Sequence, residues 1–169
     1  MNELQPKIWI GCLASYNTGK LYGAWIDADQ SSDIIMEEIQ AMLASSPISN
    51  AERWAIFEYD DFGSFELGRH ESLKQVAEYA EFLVKHGELG VGVFDNVGDF
   101  ETAKTLMTEG YHGEYQSEVD FAMNWVEETM EISEHLKGYI DYQSIADDIF
   151  IDGFFSIRLN GSTHVFANQ

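Results

Sequence analysis

The pattern of apolar and polar positions in the first 60 residues predicts a small α+β domain. Alternating apolar residues indicate strands, and apolar residues at helical spacing indicate one helix between them. Ser31 or Ser32 is suited to cap that helix, and Ile35, Ile39 and Leu43 follow its buried side. The predicted elements are strands at about 7–14, 19–27 and 54–57, a turn at 17–19 and a helix at about 32–44.

The remaining residues predict a mainly helical middle domain followed by a second α+β domain. Helices are expected at about 72–87, 89–96 and 100–108, separated by Gly87 and Gly98. A capping-box pattern at residues 117–120 begins a helix to about Met130, and another helix covers about 142–149. Asn160-Gly161 suits the turn of a final hairpin. We therefore predict an α+β chain of three small domains, at 1–60, 61–110 and 111–169.

Composition shows that the chain is able to fold and that its charge is unusual. Hydrophobic residues make up 45% of the 169 residues, which is enough apolar material for a core. Thirty acidic residues face nine Lys and Arg, for a net charge of −21. The three predicted domains carry net charges of −6, −6 and −9. The excess is therefore spread along the whole chain, although it destabilises a compact state through self-repulsion.

This charge limits the classes of partner. Nucleic acids and anionic membranes attract basic surfaces, so neither is expected to bind. A basic protein is the favoured partner. A single cysteine, Cys12, excludes an intramolecular disulfide, and no signal peptide or long apolar run is visible. We therefore expect a cytoplasmic protein.

The helix predicted to begin at Ser117 concentrates the acidic residues. At 100° per residue, its polar residues fall within a face about 120° wide. Phe121, Trp125 and Val126 occupy the opposite side, and no Lys or Arg interrupts the acidic face. The face consists of Asp120, Asn124, Glu127, Glu128, Glu131 and Glu134.

Such a face is locally unfavourable, because like charges one turn apart cost about 0.2–0.5 kcal/mol per pair. Acids near the negative end of the helix dipole add roughly 0.3–1 kcal/mol each. A helix whose charges are placed against its own stability, without a structural gain, indicates a functional role for those charges. An ordinary solvated face and adaptation to high salt are the alternatives. Further exposed acids are expected in the middle domain, at Glu78, Glu81, Asp99, Glu101 and Glu109.

Motifs for catalysis or cofactor binding are not evident. The five histidines form no pair at i, i+4 and no zinc-type pairing with Cys12. Residues 90–92 lack the third glycine of a dinucleotide-binding loop. Asp60-Asp61 and Asp147-Asp148 lack the spacing of a calcium loop. We therefore predict a protein that is not an enzyme and has no metal or cofactor, with a metal-dependent hydrolase as the remote alternative.

Several segments, in order along nearly the whole chain, resemble the ArdA antirestriction proteins of plasmids and conjugative transposons. The longest runs from Ile10 to Ala28, and the next from Trp54 to Gly63. Shorter matches are Glu71–Leu73, His86–Gly90, Tyr111–Tyr115, Asp120–Ala122 and Tyr139–Tyr142. The part similar to the family's antirestriction motif is about Asp120–Glu134, the segment of the predicted acidic face.

The resemblance implies an elongated, three-domain mimic of DNA that forms a homodimer through its C-terminal domain. It implies binding to the DNA-recognition and methyltransferase core of Type I restriction–modification enzymes, which protects incoming mobile DNA. An acidic module for another basic DNA-binding protein is the alternative. Aromatic residues of the last domain exceed what about 59 residues easily bury, which suggests a dimer interface or a core. These candidates are Trp125, Tyr139, Tyr142, Phe154 and Phe155.

Overall fold

The computed structural model describes residues 3–168, which form a mixture of helices and antiparallel sheets. The predicted α+β class is therefore confirmed. The chain divides into two compact units, Met1–Val91 and Gly92–Gln169. The division into three domains and an elongated arrangement remain predictions. Within residues 3–168, no helix combines the length and the apolar character needed to span a bilayer.

The N-terminal unit is built on a three-stranded antiparallel sheet, whose central strand is the first one in the chain. Its elements are β1 (Lys7–Cys12), α1 (Leu13–Asn17), β2 (Gly23–Asp27), α2 (Ser32–Ala44) and β3 (Trp54–Asp60). Ser31 caps α2 by accepting a hydrogen bond from the Ile34 backbone N–H at 3.3 Å. Ile35 and Ile39 of α2 are fully buried, as are Ile8 and Ile10 of β1. The predicted helix and its apolar stripe are thus confirmed.

The first hairpin differs from its prediction. The first strand ends at Cys12 rather than Ala14, and the second begins at Gly23 rather than residue 19. The chain between them forms the single-turn helix α1, which buries Ser15 completely. The Ser15 hydroxyl donates to the Lys20 carbonyl at 2.9 Å, and the Ser15 carbonyl accepts from Thr18. These side-chain and backbone bonds replace the ladder that a longer hairpin would have made.

Helix α3 (Leu73–Val97) begins as predicted and is broken at Gly87, whose φ of 60° is outside the helical region. The Ser72 hydroxyl accepts from the Gln75 backbone N–H at 3.1 Å and so begins the helix. Val76, Ala80 and Leu83 are fully buried. The ψ of −147° at Gly87 completes a backbone conformation that only glycine adopts readily, so the predicted stop at Gly87 is confirmed as a kink, with helix resuming directly after it.

The C-terminal unit contains several helices and a second three-stranded antiparallel sheet, whose central strand is the last one in the chain. Asn160 and Gly161 both have positive φ, 52° and 81°, which confirms the predicted hairpin turn. Residues 106–110 form one wide helical turn directly before the first strand of this sheet. The elements are α4 (Phe100–Thr105), β4 (Tyr111–Tyr115), α5 (Glu118–Thr129), α6 (Glu134–Lys137), α7 (Tyr142–Asp152), β5 (Phe154–Leu159) and β6 (Ser162–Ala167).

Phe121 of α5 lies at the centre of an aromatic cluster in this unit. Its ring centroid is 4.9 Å from that of Phe154, 5.1 Å from Tyr115 and 5.7 Å from Phe150. The angles between these ring planes are 67–75°, the edge-to-face arrangement that aromatic quadrupoles favour. Phe121 is 2% exposed. This cluster fixes α5 in place and directs its polar side outwards.

Candidate partner-binding surface

Helix α5 is amphipathic, with its carboxylates on the solvent side. The Ser117 hydroxyl caps it by accepting from the Asp120 backbone N–H at 3.1 Å. Phe121, Ala122 and Val126 are buried, whereas Glu127 and Glu128 are exposed. Asp120 in the first turn is half-buried. The C-terminal end of α5 therefore presents carboxylates to solvent, as the sequence predicted.

The prediction of a single acidic helix face from Asp120 to Glu134 is wrong. Helix α5 ends at Thr129, and Met130 is extended, with φ −135° and ψ 144°. Glu131 lies after the helix, and Glu134 begins the separate helix α6. The last turn of α5 contains acids and no cation to offset the negative end of its dipole, which favours ending the helix there. Glu131 and Glu134 are nevertheless exposed.

The region after α5 brings acidic residues around one lysine. Glu127 and Glu131 line the same cavity of about 430 Å³, together with Lys137. Lys137 Nζ lies 3.0 Å from Glu134 Oε1. The hydrogen bond and charge of Glu134, with the charge of Glu127, raise the pKa of Lys137. Sequence reasoning missed this cation because Lys137 lies beyond the helix on which the acidic face was drawn.

The five acids predicted in the middle of the chain are divided between the two units. In the N-terminal unit, Glu78 is half-buried and Glu81 exposed, and both line a cavity that Asp29 shares. In the C-terminal unit, Asp99, Glu101 and Glu109 are all exposed.

Two of these acids have local partners. Asp99 caps α4, and hydrogen bonds from the Thr102 hydroxyl and backbone N–H hold the pKa of Asp99 below its usual value. Glu101 pairs with Lys104 at 2.9 Å. Asp99 therefore stays ionised at neutral pH, and Glu101 is partly neutralised.

Most carboxylates have no cationic side-chain partner among the residues that the structure describes. Among residues 3–168, oppositely charged side chains approach within 4.0 Å at Lys7–Asp60, Lys104–Glu101 and Lys137–Glu134 only. Thirty acidic residues are present. Exposed pairs of this kind stabilise a fold by roughly 0–1 kcal/mol. The acidic residues are therefore a largely unneutralised surface rather than a network of internal ion pairs.

The aromatic candidates for a dimer interface differ in their surroundings. Phe154 packs on Phe121, and Phe155 stacks on Phe166 with ring centroids 5.4 Å apart. These two, like Trp125 and Tyr142, are half-buried. Tyr139 is 87% exposed. The C-terminal unit also exposes apolar side chains that the sequence analysis did not single out, namely Met123, Met130, Leu136 and Ile151.

The residues considered for metal or thiol chemistry are dispersed. Within residues 3–168, no group of three or more His, Cys, Asp and Glu is placed to hold a metal ion. Cys12 is buried with its Sγ 3.4 Å from the Ser46 hydroxyl. Asp147 accepts a hydrogen bond from Gln143 at 2.8 Å, and Asp60 pairs with Lys7.

Comparison with known proteins assigns the family. The sequence model of the family described as antirestriction protein (ArdA) matches residues 8–162. No curated protein matches the chain. The family match includes the helices of the described residues and the whole acidic segment from Asp120 to Glu134, and it ends at the first residue of β6. The chain therefore belongs to the ArdA family of antirestriction proteins.

Proposed function

We propose that this ArdA protein acts as a mimic of DNA, without catalysis of its own. Its surface carboxylates occupy the DNA-binding groove of a Type I restriction–modification enzyme, so that incoming unmodified DNA is not bound and cut. Family membership supports the antirestriction role. The observation that supports mimicry is the large number of exposed carboxylates without cationic partners, in a chain of net charge −21.

The mechanism follows from the chemistry of a DNA-binding groove. Lysines and arginines that would neutralise phosphates pair with carboxylates of the inhibitor instead. Glu127 and Glu128, near the end of α5, and Glu131, just after it, offer three such groups within a few residues. Phosphates of one DNA strand are about 3.4 Å apart along the duplex, so the mimicry lies in the density of negative charge rather than in matched positions.

Electrostatic steering should dominate the kinetics of this association. Opposite fields accelerate the encounter of two proteins, and salt screens them over about 8–10 Å at physiological ionic strength. We therefore expect fast association that slows steeply as salt increases. Asp120, Glu127, Glu128, Glu131 and Glu134 are the proposed central residues, supported by Glu78, Glu81, Asp99, Glu101 and Glu109.

Competition between this protein and a cognate DNA duplex for one purified Type I methyltransferase tests the proposal. We expect the protein to displace labelled duplex in fluorescence anisotropy, with an apparent affinity that falls at least about tenfold between 50 and 200 mM salt. A basic nucleoid protein serves as the comparison. Displacement of DNA from that protein, but not from the methyltransferase, would identify a general acidic module instead.

A homodimer formed through the C-terminal unit is part of the proposal. Tyr139, almost fully exposed, is the most accessible of the aromatic candidates, and Leu136 beside it is 58% exposed. Exposed apolar groups on one unit favour a self-complementary contact.

Sedimentation velocity at micromolar concentration should therefore give twice the mass of one chain. Tyr139→Glu should shift the protein to monomer, because a charge would replace an apolar contact. Tyr16→Glu, at a tyrosine 49% exposed in the N-terminal unit, is the matched control and should remain dimeric. A monomeric native protein would contradict the proposal.

A further inference from the structure

The N-terminal sheet has an aromatic outer face that the DNA-mimic proposal does not use. Ile8, Ile10 and Ile26 point to the buried side of this sheet. Trp9 and Trp25 are cross-strand neighbours on the other side. The Trp9 ring lies over Gly23, where an added Cβ would be 2.8 Å from the indole. Trp9 is thus held against the backbone, whereas Trp25 remains 47% exposed.

The exposed indole of Trp25 forms a wall of a cavity of about 600 Å³ in the same unit. Three carboxylate residues, Glu3, Asp27 and Asp29, line the cavity with it. Val84 contributes a second apolar wall, and Lys7 is the one cation among the described residues that line this cavity. The cavity therefore combines an aromatic surface with an excess of negative charge.

The carboxylates of the cavity retain capacity to accept hydrogen bonds. Asp27 accepts from the Asp29 backbone N–H at 3.0 Å, which occupies one of its several acceptor positions. Within residues 3–168, neither Glu3, Asp27 nor Asp29 has a cationic side chain within 4.0 Å. The charge of this cavity is thus complementary to a cation.

Lys7 shows that the Trp25 ring accommodates a positive charge. Its Nζ lies 5.4 Å from the Trp25 ring centroid, within cation–π range, and 3.9 Å from Asp60 outside the cavity. A guanidinium suits the site better than an ammonium. It is planar, stacks on an indole, is weakly hydrated, and directs five N–H donors sideways towards carboxylates.

We propose that Trp25, Asp27 and Asp29 form a receptor for an arginine side chain on the surface of the partner protein. The identity of that partner as a Type I enzyme rests on the proposed function above, whereas the preference for arginine does not. Arginine is abundant where proteins bind phosphates, because its fork of donors matches these anions. A DNA mimic that holds such an arginine gains orientation that diffuse charge does not provide.

Nuclear magnetic resonance of the indole N–H groups tests this receptor directly. The chain has four tryptophans, and the Trp25 signal is identified as the one that Trp25→Phe removes. The probes are the capped tripeptides Gly-Arg-Gly and Gly-Lys-Gly. We expect the arginine peptide to shift the Trp25 signal saturably, at least about threefold more tightly than the lysine peptide. The other three indole signals should move less.

Two variants complete the experiment. The combined variant Asp27→Asn and Asp29→Asn keeps the shape of both side chains and should weaken arginine binding about tenfold. Leu21→Ala, at a side chain 70% exposed outside this cavity, should leave it unchanged. Equal shifts of all four indoles, or equal affinity for both peptides, would overturn the proposal.

The experiments distinguish a failure of the arginine receptor from a failure of the proposed function. A selective response of Trp25 to arginine, without competition for a Type I methyltransferase, would retain the receptor and refute the enzyme as partner. Competition with DNA that is unchanged in the Asp27→Asn, Asp29→Asn variant, together with no selective Trp25 shift, would retain the mimic and refute the receptor.

Discussion

Replacing Glu127, Glu128 and Glu131 together by lysine is expected to weaken binding to a Type I methyltransferase by at least about 100-fold, which corresponds to about 2.7 kcal/mol. All three side chains are exposed, and none has an ion pair among residues 3–168. Each substitution replaces an attraction to a basic groove by a repulsion, and coupling between close charges across interfaces reaches about 1.5 kcal/mol or more. Competition with labelled DNA measures the effect.

A matched variant separates the position of these charges from their number. Lysine at Glu37, Glu52 and Glu66, which are exposed in the N-terminal unit, changes the net charge equally, from −21 to −15. It should weaken binding by less than about tenfold, since it reduces mainly long-range steering. Equal losses in the two variants would show that only total charge matters. No loss in either would refute the DNA-mimic proposal.

Single substitutions serve as a further comparison, because binding through many carboxylates is redundant. Glu127→Gln removes one charge without changing the shape of the side chain, and should change the affinity by no more than about threefold. Circular dichroism should show the native helix content in every variant, since Lys and Gln are good helix formers at the helical positions and the remaining substitutions lie outside helices.

The start of α5 and its end near Met130 were predictable from the sequence, whereas the reach of its acidic face was not. Ser117 and the buried residue Phe121 are local signals of a helix start, and the structure confirms them. Extrapolation at 100° per residue assumes that the helix continues. Glu131 and Ile132 fit that periodicity, yet the backbone is already extended at Met130. The end of a helix depends on its dipole and on tertiary packing, which a periodicity does not contain.

Strand β4 is a second element that the local sequence pattern did not predict. Tyr111–Tyr115 contains glycine and charged residues, and no strand was predicted there. The strand exists because it pairs with β6, about 50 residues later in the chain. Its register shifts between Tyr111 and Gly113, where Gly113 has φ 105°. Such a bulge needs glycine and interrupts the alternation that identifies a strand.

The chemistry of the proposed surface was likewise predictable only in part. Net charge, the excess of exposed acids and the family follow from the sequence, because they depend on composition and on segments read in order. The pairing of Lys137 with Glu134 and the cavity beside Trp25 depend on tertiary placement. From the sequence alone, Trp25 cannot be distinguished from an ordinary strand residue, because its neighbours in the fold are not known.

Replacing Phe121 by alanine should destabilise the C-terminal unit by about 3–5 kcal/mol, the usual cost of removing a buried phenylalanine. The substitution leaves a void among Tyr115, Phe150 and Phe154, whose rings all contact that of Phe121. Since small proteins are stable by only about 5–15 kcal/mol, this is a large fraction. Unfolding in guanidinium chloride, followed by near- and far-ultraviolet circular dichroism, measures the loss.

Met123→Ala, two residues further along the same helix, is the control. Met123 is 40% exposed, so its truncation should cost less than about 1 kcal/mol. Equal destabilisation by both substitutions would contradict the central position of Phe121.

The loss of stability in Phe121→Ala should also affect function. Because Phe121 anchors α5, the Phe121→Ala variant should compete less well with DNA at temperatures where its C-terminal unit has unfolded. Cooling should refold the unit and restore the competition. Persistent competition by an unfolded C-terminal unit would mean that its charge alone, without a fixed arrangement, is enough to inhibit.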